Sequence, residues 1–142
     1  MITYEFDSIT VYEFDFLYHS VGWKSHDPEV ISEALKHNIF SVSVYENDHI
    51  IGCGRIIGDK TMFLYLQDII VIPEYQSKGI GTGIMHRLLD KVNELKAVSP
   101  AIRVYLGASL NKEPFYEKFG FVTRENSGLG SGMILNRLKA ED

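Results

Sequence analysis

A stripe of apolar side chains recurs at helical spacing between residues 80 and 92, and it predicts an amphipathic helix with one face in the core. Its members are Ile80, Ile84, Met85, Leu88, Leu89 and Val92. Just upstream, residues 69–72 are all β-branched and aliphatic and are followed by Pro73, which predicts a strand buried on both faces that ends at the proline. Strand, turn and helix therefore follow in that order.

The N-terminal third of the sequence predicts a strand followed by two helices. Residues 1–6 read as the strand, and Thr10 with Glu13 forms a capping box that starts a helix running to about Ser20. Asp27 and Pro28 start the second helix, because proline is tolerated in a first helical turn.

The remaining elements are mostly strands. Alternation from Phe40 to Val44 predicts a half-buried strand, and turns at residues 46–48 and 58–60 divide three strands into a meander. Further elements are a strand at 102–106, a short helix capped by Asn111, and a closing hairpin formed by 121–124 and 133–138. The order β-α-α-β-β-β-α-β-α-β-β predicts one α/β domain over residues 1–142, with a mixed sheet.

Glycines 79, 81 and 83 crowd the joint between the strand and the long helix. The first helical turn leaves backbone N–H groups without partners, so an anion can bind there. A P-loop is excluded, because no Lys-Ser/Thr pair follows Gly79 or Gly83, and a dinucleotide fold expects G-x-G-x-x-G near the N-terminus rather than this central G-x-G-x-G. A turn that binds no ligand remains the alternative.

The segment from Gln76 to Gly81, QSKGIG, matches the Q/R-x-x-G-x-G/A signature of the GNAT N-acetyltransferases, and the protein resembles that superfamily. A second segment, NKEPFYEKFGF at 111–121, is similar to the family's short helix that ends in F-Y-x-x-x-G-F. The resemblance spans nearly the whole sequence and implies a GNAT-like α/β sandwich whose mostly antiparallel sheet is splayed at the acetyl-CoA site. Finer matches at 22–23, 75–81, 115–121 and 132–133 resemble arylalkylamine (serotonin-type) acetyltransferases of bacteria and plastids.

The resemblance implies acetyl-CoA as the co-substrate. The turn would wrap its pyrophosphate, and the backbone of Ile70 and Ile72 would pair with its pantetheine arm. The residues implied in binding it are Ile70, Val71, Ile72, Gln76, Ser77, Lys78, Gly79, Ile80, Gly81, Thr82, Gly83, Asn111, Phe115 and Tyr116.

Two residues are candidates for catalysis. By resemblance, Tyr116 donates a hydrogen bond to the departing thiolate, and a half-buried packing role is its alternative. Asp68 begins the strand run that leads to the turn, and it or a water relay would take the proton of the amine; a solvated or paired carboxylate is the alternative. Trp23 and His26 are candidates for the acceptor pocket, and the alternative for Trp23, a ring that anchors its loop to the core, is the more common role of a tryptophan. Gln67 stands where some polyamine-acetylating relatives carry Glu, which makes polyamine acetylation less favoured.

Composition excludes several classes of function. The net charge of −5 argues against nucleic-acid binding, and the five histidines lack ligand spacing, so no metal site is expected. The single cysteine, Cys53, lies in an apolar strand and reads as a packed thiol. No apolar run reaches a membrane-spanning length and no leader is evident, so a cytoplasmic location and no membrane partner are expected. A homodimer is compatible with so compact a fold.

The sequence therefore predicts an enzyme that moves an acetyl group from acetyl-CoA to the primary amine of a small molecule, by direct attack in a ternary complex. Two alternatives remain open from the sequence. One is acetylation of a protein N-terminus or lysine, which needs an open peptide groove. The other is a regulatory module that binds acetyl-CoA without turnover.

Overall fold

One five-stranded sheet organises the protein, as seen in a computed structural model that describes residues 1–135. Its strands, in spatial order, are β1 (Ile2–Phe6), β2 (Phe40–Glu46), β3 (His49–Gly58), β4 (Phe63–Val71) and β5 (Arg103–Leu106). Neighbours are antiparallel from β1 to β4, whereas β4 and β5 are parallel. The predicted α/β class with a mixed, mostly antiparallel sheet is confirmed.

Three helices, in the first 100 residues, begin where the sequence signals place them. The helices are α1 (Val11–Ser20), α2 (Pro28–Leu35), α3 (Ile80–Val98) and α4 (Glu113–Glu117), with 3₁₀ turns at Pro73–Tyr75 and Glu125–Ser127. The Thr10 hydroxyl accepts the Glu13 N–H and the Glu13 carboxylate accepts the Thr10 N–H, so the capping box is confirmed. The predicted apolar stripe of α3 supplies five buried residues.

Helix α3 covers one face of the sheet, and α1 packs on the other face against β3 and β4. Two glycines of β3 let α3 come close. A Cβ on Gly52 would lie 3.2 Å from Ile84 Cδ1 of α3 and 2.9 Å from the Ile70 carbonyl oxygen of β4, and one on Gly54 would lie 2.9 Å from Ile84 Cγ2. Arg55 belongs to the opposite face, because its guanidinium lies over the Phe14 ring of α1, 5.7 Å from the ring centre.

Three expectations are corrected. Residues 69–72 are not buried on both faces: Ile70 and Ile72 are buried but Ile69 and Val71 are partly exposed, since β5 ends opposite Leu66 and leaves this end of β4 without a second neighbour among the described residues. Helix α4 is capped by Lys112, not Asn111, which instead adopts a left-handed φ of 68°. Residues 121–124 and 133–135 form no strand, and the rest of the expected hairpin, 136–138, lies outside the described residues.

The protein divides into two compact units, residues 1–106 and the part that begins at Gly107. The first contains the whole sheet with α1, α2 and α3. The second contains α4, whose ring pair Phe115 and Phe119 stacks edge to face at 5.4 Å, as the i, i+4 spacing predicts. Gly120 ends this helix region at a φ of 94°, as predicted. The single-domain organisation stays a prediction.

We expect Gly52→Ala to lower the free energy of unfolding by about 1–3 kcal/mol, because the new methyl group overlaps a backbone carbonyl that cannot move without distorting β4. Urea denaturation monitored by circular dichroism measures this. Gly130→Ala is the matched control, because a Cβ there meets nothing within 4 Å. Equal midpoints for Gly52→Ala and the unmodified protein would contradict the close approach of α3 and β4 to β3.

Candidate active site

The N-terminus of α3 presents unpaired backbone donors. Gly79 is its cap residue at a φ of 85°, and the helix start carries no hydrogen bond from a capping side group within residues 1–135. The Gly83 N–H donates to the Gly79 carbonyl and closes the first helical turn. The N–H groups of residues 80–82 therefore have no intrahelical partner, and the helix dipole adds positive charge at the same place.

Contacts within the turn before α3 hold it in shape. Gln76 Nε2 donates to the Val71 carbonyl oxygen at 2.9 Å, which ties the turn to the end of β4. The Lys78 ammonium lies 5.2 Å from the centre of the Tyr75 ring. Ser77 adopts a left-handed φ of 63°, two residues before the left-handed Gly79. Two left-handed residues and the Gln76 bond thus shape the connection between the end of β4 and the first turn of α3.

Gly83 has a packing role that the sequence does not reveal. A Cβ on this residue would overlap the hydroxyl group of Tyr4 from β1, so glycine is required for the ring to reach α3. The Arg87 guanidinium stacks on the same ring at 3.5 Å and donates to the Gly83 carbonyl at 3.0 Å. Gly83 therefore positions the helix, and its own N–H is already bonded.

The second half of β4 has an open edge. Pairing with β5 covers only Phe63–Leu66, so residues 67–71 have no strand on that side within the described residues. The Ile72 N–H donates to the Ile51 carbonyl at 2.9 Å, which directs it toward β3. Because backbone groups alternate in direction along a strand, Ile69 and Val71 point their N–H groups to the open edge, while Ile70 points toward β3 as Ile72 does.

A β-bulge in β4 changes which face its residues occupy. The register passes from Arg55 opposite Gln67 to Cys53 opposite Ile70, and Asp68 takes a left-handed φ of 55°. Gln67 and Asp68 consequently both face α1, whereas strict alternation would put them on opposite faces. Ile69 returns to the α3 face, 3.4 Å from where a Gly54 Cβ would lie.

The Asp68 carboxylate is buried and fully paired, with its side chain 2% exposed. Oδ2 accepts a hydrogen bond from Arg55 Nε at 2.8 Å, and Oδ1 accepts one from the Tyr18 hydroxyl at 2.5 Å. Arg55 also donates to Asn38 Oδ1 at 3.0 Å. Removing the carboxylate would leave the guanidinium without its charge partner, a loss that typically costs about 3–5 kcal/mol. The paired state, one of the alternatives for Asp68, is the observed one.

Burial dominates the titration behaviour of the neighbouring groups. Burial, followed by the hydrogen bond to Asp68, raises the pKa of Tyr18 well above its usual range, so this phenol is neutral at physiological pH. Burial likewise raises the pKa of the Cys53 thiol, whose sulfur donates to the Asp68 carbonyl oxygen at 3.3 Å. Cys53 is a packed thiol, as predicted.

Trp23 is placed by the end of α1. The backbone N–H of Trp23 donates to the Tyr18 carbonyl. The backbone N–H of Gly22, which has a φ of 77°, donates to the His19 carbonyl. This is a Schellman motif, which commonly brings the two residues at its ends into contact. The Trp23 ring accordingly packs edge to face on Tyr18 at 5.3 Å, and the exposed His26 lies 6.1 Å from the same ring.

In the second unit, Tyr116 is half-buried on α4 and stacks on Phe115 at 5.1 Å. Burial raises the pKa of Tyr116, which keeps its hydroxyl protonated at physiological pH. Asn111 is exposed and precedes the helix.

Sequence reasoning missed Tyr18, Arg55 and Asn38. The sequence indicates only weakly that Tyr18 faces the protein, since it follows the buried Leu17 on a capped helix. Its partner Asp68 is 50 residues away in sequence, so the pair itself leaves no local pattern. Within residues 1–135 no cluster of three metal-ligating groups occurs, and none of the described helices combines the length and hydropathy needed to cross a membrane.

The sequence matches the family model described as an acetyltransferase (GNAT) domain over residues 18–140. It is 28% identical over 119 residues to an uncharacterized N-acetyltransferase, ycf52, of Porphyra purpurea, covering 81% of this chain and 66% of that protein. It thus spans about two thirds of the length of the curated relatives it matches. A chloroplastic GCN5-related N-acetyltransferase of Arabidopsis thaliana is 24% identical over 92% of this chain and 64% of its own length.

Solved structures share the fold. A probable acetyltransferase of Staphylococcus aureus superposes with a TM-score of 0.85 at 28% identity, over 96% of this chain and 99% of that one. A predicted acetyltransferase of Clostridium acetobutylicum, crystallised with acetyl-CoA, has a TM-score of 0.69 at 19% identity, over 98% of both proteins. The family match covers most of the sequence and the fold agrees throughout, so this protein belongs to the GNAT family of acetyltransferases.

Proposed function

We propose that the protein transfers the acetyl group of acetyl-CoA to the primary amine of a small molecule. The observation that carries this proposal is the juxtaposition of the α3 N-terminus, which no described side chain caps, with the open edge of β4. The first suits a pyrophosphate and the second suits an extended run of amides, and the two are joined by the Gln76 bond to Val71. The family of the protein supports the same assignment.

The pyrophosphate would be held by backbone N–H groups of residues 77–82. Gly79 permits the left-handed turn, Lys78 adds positive charge, and Gly83 contributes by positioning the helix. The pantetheine arm would then lie along the open edge and pair with the N–H groups of Ile69 and Val71 rather than with those of Ile70 and Ile72. Running from the turn toward residue 69, the arm would direct the thioester to the neighbourhood of Gln67 and Asp68.

The state of Cys53 supports direct attack by the amine. It is the only cysteine in the sequence, it is 2% exposed, and its pKa is raised, so an acetyl-cysteine intermediate is disfavoured. The amine nitrogen would form a bond to the acetyl carbon, the C–S bond would break, and the amine proton would pass to water. Because alkylamines have a pKa near that of lysine, about 10.4, only about one molecule in a thousand is neutral at pH 7.4, and the site must favour that form.

The role that the family resemblance implies for Tyr116 is to stabilise the departing sulfur. A thiol has an ordinary pKa of about 8.5 and a phenol one of about 10, so full proton transfer to the thiolate is already uphill, and burial raises the pKa of Tyr116 further. A hydrogen bond from the phenol to the developing thiolate is therefore the favoured role, with protonation completed from solvent.

Aromatic residues of the first unit, residues 1–106, suggest which class of amine the protein accepts. Trp23 and Tyr18 offer aromatic faces beside the buried Asp68, which suits an amine that carries an apolar or aromatic group. An arylalkylamine is one such acceptor. An acetyl-CoA-dependent release of thiol, measured with 2-phenylethylamine, spermidine and a lysine peptide in parallel, distinguishes this class from polyamine and protein acceptors. No thiol release with any of them would contradict the enzymatic proposal.

We expect Tyr116→Phe to lower kcat about a hundredfold while the KM for acetyl-CoA changes little, because the lost hydrogen bond forms only as the sulfur departs. Thiol release under saturating amine measures both constants. Tyr12→Phe is the matched control, since Tyr12 is 76% exposed and its hydroxyl has no assigned role. Equal kcat for Tyr116→Phe and the unmodified protein would remove this role from Tyr116.

We expect Gly79→Ala to weaken acetyl-CoA binding at least about tenfold, because an alanine resists the left-handed φ and the turn must rearrange. Isothermal titration calorimetry with acetyl-CoA measures the change. Gly128→Ala is the control, because Gly128 has a nearly equal φ of 82° and belongs to a different segment, so it carries the same backbone cost without the binding loss. Equal affinities in the two variants would place the pyrophosphate elsewhere.

A further inference from the structure

The short hydrogen bond between Tyr18 and Asp68 fixes the direction in which the Tyr18 hydroxyl can interact with a ligand. Its proton points to Asp68 Oδ1, with the two oxygens 2.5 Å apart. A tyrosine hydroxyl has one proton to donate and lone pairs to accept with. Toward any other group, the Tyr18 oxygen can therefore only accept a hydrogen bond through its lone pairs. The negative charge of Asp68 makes it a stronger acceptor.

Arg55 determines which Asp68 oxygen binds Tyr18. Its Nε donates to Asp68 Oδ2 at 2.8 Å and its charge balances the carboxylate, so Oδ1 accepts the Tyr18 proton. The Asp68 side chain is 2% exposed, whereas its two partners, Tyr18 and Arg55, are both partly buried. Of these two, only Tyr18 has a lone pair to offer, because a guanidinium group has no acceptor. A ligand that donates a hydrogen bond to this network therefore meets its acceptor at the Tyr18 oxygen.

The rings of Trp23 and His26 lie beside the Tyr18 ring. Trp23 packs edge to face on Tyr18, and His26 lies 6.1 Å from it. The bulge in β4 brings Asp68 to this face at the point where β4 loses its β5 neighbour. On the proposed function, that is the end of the open edge to which the thioester is directed.

We propose that Tyr18 is the residue that binds the acceptor amine, by accepting a hydrogen bond from its N–H on the Tyr18 oxygen, with Asp68 as the positioning residue behind it. An amine that donates one N–H to Tyr18 keeps its nitrogen lone pair free for attack. The binding group is neutral, because Asp68 is compensated by Arg55, so the site favours an uncharged primary amine with an adjacent apolar group over a polycation. This inference rests on the proposed function for the place of the thioester, but amine binding can be measured without turnover.

Trp23 provides that measurement, since it is the only tryptophan and its ring contacts Tyr18. The probe is 2-phenylethylamine, titrated into the protein loaded with coenzyme A while tryptophan emission is recorded. We expect Tyr18→Phe to raise the midpoint of this titration about tenfold, the usual effect of losing one hydrogen bond, and to raise the KM for the amine equally. The KM for acetyl-CoA stays unchanged, and Tyr12→Phe leaves every value unchanged.

Asp68→Asn tests the direction of the bond. If the amide oxygen stays on Arg55, the amide nitrogen faces Tyr18 and donates to it, which turns the Tyr18 proton outward. We expect the amine midpoint of Asp68→Asn to rise as in Tyr18→Phe, and the double variant to be no worse than either single variant. Thermal melting of each variant verifies that it is folded under the assay conditions.

The outcomes separate the two proposals. Thiol release with an unchanged amine midpoint in Tyr18→Phe would overturn the role of Tyr18 and leave the acetyltransferase intact. A shifted midpoint without thiol release from the unmodified protein would overturn the acetyltransferase and leave the amine site intact. An equal rise in the KM for both substrates, or additive effects of the two substitutions, would show general loosening and overturn the role of Tyr18.

Discussion

A buried carboxylate in the middle of β4 sets the arrangement of the candidate site. Asp68 is removed from water, so its charge must be compensated by groups brought to it, and Arg55 from β3 and Tyr18 from α1 meet that need. The hydrogen bond between Asp68 and Tyr18 thereby joins β4 to α1, on the face of the sheet opposite α3. Asn38 extends the network to the segment before β2. The first helix is therefore held on the sheet partly by the pairing of a charge.

The bulge at Asp68 makes this pairing possible. An unbroken strand would turn either Gln67 or Asp68 toward α3, whose contact face is apolar and could not satisfy a carboxylate. One extra residue places both on the α1 face and returns Ile69 to the core side. The bulge thus lets one strand serve an apolar core on one side and a polar cluster on the other, beside an edge that is open for a ligand.

Close helix packing fixes the other end of the site. Gly52 and Gly54 leave room for Ile84 on one face of β3, and Gly83 leaves room for Tyr4. These contacts hold the N-terminus of α3 at the end of β4, where Gln76 completes the connection. Neighbouring glycines therefore have different roles. Gly79 adopts a left-handed backbone conformation, whereas Gly83 lacks a Cβ that would overlap Tyr4.

Caps, apolar periods and short motifs are local signals, so they were enough to predict the class of fold, the starts of α1, α2 and α3, the glycine turn and the resemblance to the family. The same signals marked Asp68 but not its partners, and the family resemblance implied that the backbone of Ile70 and Ile72 pairs with pantetheine. The partners of Asp68 and the direction of the Ile72 N–H became visible only in the folded protein. A bulge changes which side a residue faces without altering local composition, and the pairing of Asp68 with Tyr18 joins residues 50 positions apart, which no periodicity encodes.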